Sequence, residues 1–125
     1  MLKKNVFVLT LIYTVTLTML CLVRINKLPS LGVSFGDKIY HFLSYTILAF
    51  LWYHTFFLKF KFKNSKALAN TFLFCTVFGI IIEALQGMFT AYRAADFYDV
   101  VANTSGVLFI VLIITLKNTM AIKKQ

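Results

Sequence analysis

Long apolar segments without charges alternate with short polar segments along this 125-residue chain. Each apolar segment is close to the ~20 residues that an α-helix needs to cross the apolar core of a bilayer. The pattern predicts an all-α fold in which a polytopic membrane protein forms a bundle of four transmembrane helices. We expect these helices at about residues 5–23, 38–58, 67–88 and 97–117.

The composition also favours a membrane protein. Hydrophobic residues make up 60% of the chain, whereas about half is usual in soluble domains. The segments between the predicted helices are too short to form a second globular domain. Residues 1–125 are therefore expected to form a single transmembrane domain.

The net charge of +9 is unevenly distributed along the chain. With a cytoplasmic N-terminus, nine of the 13 lysines and arginines face the cytoplasm, as the positive-inside rule favours. This predicts a multi-pass protein of the cytoplasmic membrane with both termini cytoplasmic. Lysine and phenylalanine alternate at 59–63, as in an interfacial segment on an anionic leaflet. One short loop offers no groove-reading element, so nucleic-acid binding is not expected.

All four acidic residues lie at or beside the ends of the apolar segments, and each has a polar neighbour at helical spacing. Since residues three or four apart share a helix face, three polar faces result, formed by Asp37 with His41, by Glu83 with Gln86, and by Asp96 with Asp99 and Asn103. A membrane carboxylate needs a partner or a water-filled cavity. The three faces are therefore expected to converge on one outward-facing polar site, where Gly79 and Gly106 let the backbones approach closely.

The candidate ligand-binding residues are Asp37, Lys38, His41, Glu83, Gln86, Arg93, Asp96, Asp99 and Asn103. Lys38 and Arg93 can hold phosphate or carboxylate groups. The helix dipole disfavours Glu83 near the end of its helix, so Arg93 is its expected partner. Asp37 and Asp96 also fit simple helix N-caps. No motif specifies a metal or another cofactor, and none is expected.

The motifs D-K-x-x-H, E-x-x-Q, R-x-x-D-x-x-D and N-x-x-G occur in this order between Asp37 and Gly106. In this combination the chain resembles the VanZ-like family of small bacterial integral membrane proteins, named after a member linked to teicoplanin resistance. The resemblance implies a multi-span protein of the bacterial cell envelope and cytoplasmic (inner) membrane, without an established reaction. The family pattern covers Asp37, Lys38, His41, Glu83, Gln86, Arg93, Asp99, Asn103 and Gly106.

The leading functional hypothesis is binding of the polar head of an amphiphile or cell-wall precursor. The expected partners are a membrane lipid or a lipid-linked envelope precursor, and self-association into a homo-oligomer is left open. One alternative is an enzyme acting on a lipid-linked substrate, with His41 as general acid–base and Glu83 or Asp99 as its partner. Another is a small ion- or proton-coupled carrier, which would be oligomeric because four short helices leave little room for a pathway.

Overall fold

The computed structural model describes residues 2–22, 36–89 and 97–123, which form four α-helices. They are α1 (Leu2–Leu22), α2 (Gly36–His54), α3 (Asn64–Phe89) and α4 (Phe97–Lys123), and α2 continues into a π-helical turn at Thr55–Lys59. No strand occurs in these residues. The prediction of an all-α fold with four helices is confirmed.

Three of the four helices, α1, α3 and α4, are long and apolar enough to cross a membrane. The second helix, α2, has 19 residues and begins with the polar sequence Gly-Asp-Lys. Its polar N-terminal half lowers its mean hydropathy, so the predicted fourth span is not established by length and composition. The outer surface of the bundle is rich in exposed large apolar side chains, such as Leu9, Ile12, Leu73 and Leu112, as expected of a surface that faces lipid.

The central helix of the bundle is α2, which contacts the other three helices and packs most extensively against α4. It runs parallel to α4, because Lys38 meets Asp99 near the start of both helices and Thr46 meets Gly106 further along. Helices α1 and α3 run in the opposite direction. One end of the bundle therefore holds the N-termini of α2 and α4 together with the C-termini of α1 and α3.

Glycines let α4 approach its neighbours closely, as predicted. A Cβ atom on Gly106 would overlap the Phe42 carbonyl oxygen, and the Thr46 hydroxyl donates a hydrogen bond to the Gly106 carbonyl at 3.2 Å. A Cβ atom on Gly79 would lie 3.0 Å from the Tyr45 ring. The α2–α4 contact thus depends on a residue without a side chain at position 106.

Polar side chains fasten the other helices to α2. The buried hydroxyls of Thr10 and Thr55 lie 2.8 Å apart and join α1 to the π-helical turn. The Trp52 ring N–H donates to the Thr14 hydroxyl at 3.1 Å. At the same end, the Asn64 side-chain oxygen accepts hydrogen bonds from Tyr53 and from Asn118 of α4. These bonds fix the end of the bundle opposite the predicted polar site.

Replacing Gly106 with alanine is expected to lower the stability of the folded protein, because the new methyl group collides with the α2 backbone. Overpacking of this kind costs roughly 1–3 kcal/mol. Gly87, which is exposed on α3, is the matched control, since alanine there meets no such contact. Thermal unfolding of both variants in detergent is the measurement. Equal melting temperatures for Gly106→Ala and Gly87→Ala would show that the close contact is not needed.

Candidate functional site

The first two turns of α2 and α4 place four polar side chains in contact, which we call the Asp99 cluster: Lys38, His41, Asp99 and Asn103. The Lys38 Nζ donates to Asp99 Oδ1 at 2.6 Å. The His41 Nε2 lies 3.4 Å from Asp99 Oδ2, and its Nδ1 lies 3.1 Å from Asn103 Oδ1. The cluster is therefore a continuous chain from ammonium to carboxylate to imidazole to amide.

Helical spacing explains why these four side chains meet. Lys38 and His41 are three residues apart, and Asp99 and Asn103 are four apart, so each pair occupies one face of its helix. Because α2 and α4 run parallel, successive turns of one helix lie beside successive turns of the other. The sequence predicted the Asp99–Asn103 face and the position of His41, and the structure shows that the two faces oppose each other.

The Asp99 carboxylate is the buried centre of the cluster. Only 5% of its side chain is accessible, compared with 20% for the Lys38 side chain. Burying a carboxylate is costly unless charged or hydrogen-bonding groups compensate it. Here each carboxylate oxygen faces a different nitrogen of α2, so one helix provides the charge that the other requires. Lys38 is the more accessible group of this ion pair.

Both ring nitrogens of His41 are used inside the cluster. A neutral imidazole has one N–H donor and one acceptor nitrogen, whereas both nitrogens here face side-chain oxygens. Two arrangements satisfy both contacts. The ring carries two protons, or the Asn103 amide presents its NH₂ group to an unprotonated Nδ1. In either arrangement His41 links Asp99 to Asn103.

Tyr45 closes the cluster on the bundle side. It follows His41 by four residues and is completely buried, with its ring against Gly79. Gly79 also lies beside the Asn103 side chain. Within the described part of the chain the Tyr45 hydroxyl has no hydrogen-bond partner. The position of Tyr45 at i+4 from His41 is the sequence signal that places it below the cluster.

The polar face of α3 contributes Glu83 and Gln86, both buried. The Gln86 side-chain N–H donates to the Cys21 carbonyl oxygen at 2.8 Å, in the last turn of α1. Carbonyls in a last helical turn have no partner within the helix, so this bond satisfies one of them and joins α1 to α3. No motif indicated this contact, because it involves a backbone carbonyl and not a side chain of α1.

Three predicted site residues cannot be placed relative to the cluster. Arg93 and Asp96 lie outside the described residues, and for Asp37 only the helical backbone is described. The Glu83–Arg93 pair therefore stays a prediction. Among the side chains of residues 2–22, 38–88 and 97–123, no three His, Cys, Asp or Glu residues come together as a metal site would require.

Sequence comparisons connect this arrangement to known proteins. The sequence profile of the VanZ/LLP1 family matches residues 4–118. An uncharacterized protein of Schizosaccharomyces pombe, C11E3.10, is 35% identical over 78 residues, which are 62% of this chain and 46% of that protein. The chain thus spans less than half the length of this relative, and no solved structure matches. Because the family match covers nearly all of the sequence, the chain belongs to the VanZ/LLP1 family.

Proposed function

We propose that the protein binds the anionic head group of a membrane amphiphile at the Asp99 cluster. The observation that carries this proposal is the position of Lys38, the cation of the cluster. Its side chain is 20% accessible while the Asp99 side chain is 5% accessible. An approaching head group therefore meets an ammonium group, and the compensating carboxylate lies behind it.

The electrostatics of the helix ends favour an anion at the same place. α2 begins at Gly36 and α4 begins at Phe97, and the N-terminal end of a helix carries a partial positive charge. The Lys38 and Asp99 charges offset each other. A second proton on His41, one of the two arrangements that satisfy its contacts, would leave the cluster with a net positive charge.

The geometry favours a binding protein over an enzyme that uses His41 as its general base. A general base needs a ring nitrogen within hydrogen-bonding distance of the substrate proton. In this arrangement Nε2 faces Asp99 and Nδ1 faces Asn103, so catalysis would first require the cluster to open. As a buried link between Asp99 and Asn103, His41 would hold Asp99 in position for its contact with Lys38.

Phosphate is the chemical group that best fits this site. Phospholipids and lipid-linked cell-wall precursors both carry phosphate, and Lys binds it as a compact charge. In a bacterium, occupation of precursor head groups would also alter the response to glycopeptides such as teicoplanin.

For the membrane arrangement, we propose that α2 is the fourth span. The α-helical part of α2 has 19 residues and the π-helical turn adds five. At about 1.5 Å per residue the two together are roughly 35 Å long. This is enough to cross an apolar core of about 30 Å. Its polar first turns would lie at the outer interface of the bacterial cytoplasmic membrane. The lysines at the other end of the bundle would then lie with both termini at the cytoplasmic face.

The proposed function is tested by using native mass spectrometry to measure how tightly the purified protein binds phosphatidic acid. Lys38→Gln is expected to weaken binding by about tenfold or more, because a charge-assisted hydrogen bond is lost. Phosphatidylcholine should bind weakly to both proteins. The measurement uses a Lys63→Gln/Lys66→Gln background, so that lysines at the opposite end of the bundle do not contribute.

Lys117→Gln is the control, since Lys117 is an exposed residue far along α4. It should bind phosphatidic acid as tightly as the background protein. Unchanged affinity in the Lys38→Gln variant would overturn the proposal. Chemical conversion of the lipid during incubation would instead favour the enzyme, and lipid-independent proton flux in proteoliposomes would favour the carrier.

Labelling with a membrane-impermeant maleimide tests the orientation. In a protein without Cys21 and Cys75, a single cysteine at position 34 or 90 should react in intact cells, because the loops before α2 and after α3 are expected outside. A cysteine at Ser65, which is exposed at the start of α3, should react only after the cells are opened. The reverse pattern would place the Asp99 cluster on the cytoplasmic side.

A further inference from the structure

A second feature begins at the opposite end of the bundle from the Asp99 cluster and runs along α3. An apolar cavity of about 610 Å³ opens beside α3 and the π-helical turn. We call it the α3 groove, and its walls include Phe56, Phe62, Asn70, Phe74, Val77 and Phe78. The lining extends along α3 as far as Ile81. From Asn70 this is roughly 16 Å at about 1.5 Å per residue, so the groove is elongated along the helix.

The polarity of the groove changes along its length. Asn70 is the polar residue of the lining and lies nearest the start of α3, whereas aromatic and aliphatic side chains line the rest. Four exposed lysines lie around this polar end, in the segment 59–66. The Lys66 ammonium lies 4.3 Å from the centre of the Phe62 ring, and therefore stands at the mouth of the groove.

Among the described side chains, no acidic residue lies at the same end of the bundle as the lysines at this mouth. The sequence contains only four acidic residues. Glu83 and Asp99 belong to the opposite end, α2 places the backbone of Asp37 there too, and Asp96 lies outside the described residues. Within the described part of the chain, the charge of the lysine segment is therefore not offset by an acidic side chain.

The loop that carries the lysines has a defined shape. The Phe62 N–H donates to the Phe56 carbonyl at 3.0 Å, and the two rings stack with their centres 5.6 Å apart. Lys61 adopts a positive φ of 56°, a conformation that residues other than glycine rarely take. Together with the π-helical turn, this backbone folds Phe62, which lies between Lys61 and Lys63 in the sequence, back into the groove wall.

We infer that the α3 groove holds one anionic phospholipid, with an acyl chain against Phe74 and Val77 and its phosphate at Lys63 and Lys66. The apolar length of the groove matches an acyl chain, and the unmatched positive charge at its polar end matches an anionic head group. Anionic lipids attract basic segments at a membrane surface, and the groove adds a fixed position for the chain. This site is separate from the Asp99 cluster and does not depend on its function.

The probe lipids are phosphatidylglycerol and phosphatidylcholine with identical acyl chains, titrated by native mass spectrometry against protein in a Lys38→Gln background. One phosphatidylglycerol is expected to bind in preference to phosphatidylcholine. Lys63→Gln/Lys66→Gln should weaken phosphatidylglycerol binding by about tenfold and leave phosphatidylcholine binding unchanged. Val77→Trp, which fills the groove, should weaken the binding of both lipids.

The matched control is Lys117→Gln/Lys123→Gln, which removes two charges from α4 without touching the groove lining. It should retain phosphatidylglycerol binding. An equal loss in this control would show that general surface charge attracts the lipid, and would overturn the inference. So would equal affinities of the parent protein for the two lipids. Thermal unfolding confirms that each variant compared is folded.

Discussion

The fold depends on how α2 compensates a carboxylate that α4 buries. Asp99 has no basic neighbour on its own helix within two turns of the described chain, and Lys38 and His41 of α2 face its two oxygens. This pairing can form only when α2 and α4 are parallel and in one register. The same register brings Gly106 against the Phe42 carbonyl two turns along. Charge pairing and close backbone packing therefore specify the same arrangement, which is how a sequence favours one fold over its competitors.

The two ends of the bundle have opposite chemistry. One end concentrates buried acidic and amide groups among the helix ends, and the other carries exposed lysines beside aromatic rings. A membrane protein with this division presents a different surface to each leaflet. At the Asp99 cluster the charges are largely compensated within the protein, so a ligand there must compete with or extend an existing network. At the α3 groove, the proposed lipid would provide the compensation. Added salt should therefore weaken ligand binding to a different extent at each of the two proposed sites.

Much of the fold followed from the apolar pattern, but helix ends and partners did not. The sequence predicted α3 from about 67, whereas it begins at Asn64, and α4 to about 117, whereas it continues to Lys123. Apolar runs mark the buried length of a helix, and polar turns extend beyond them. Helical spacing also showed that Asp99 and Asn103 share a face. It could not show that Lys38, predicted as a ligand-binding residue, pairs with Asp99, because that depends on how the neighbouring helix is rotated.

A double-mutant cycle between Lys38 and Asp99 is the most direct test of whether this ion pair specifies the α2–α4 arrangement. Lys38→Gln and Asp99→Asn are each expected to destabilise the protein, since each leaves one charged group of the pair without its counter-charge. The double variant should be less destabilised than the sum of the two, by about 1 kcal/mol or more. Lys38→Gln combined with the remote Lys117→Gln provides the control and should be additive. If the Lys38–Asp99 cycle is also additive within about 0.5 kcal/mol, the two residues do not act as a pair. Their pairing then does not specify the arrangement of α2 and α4.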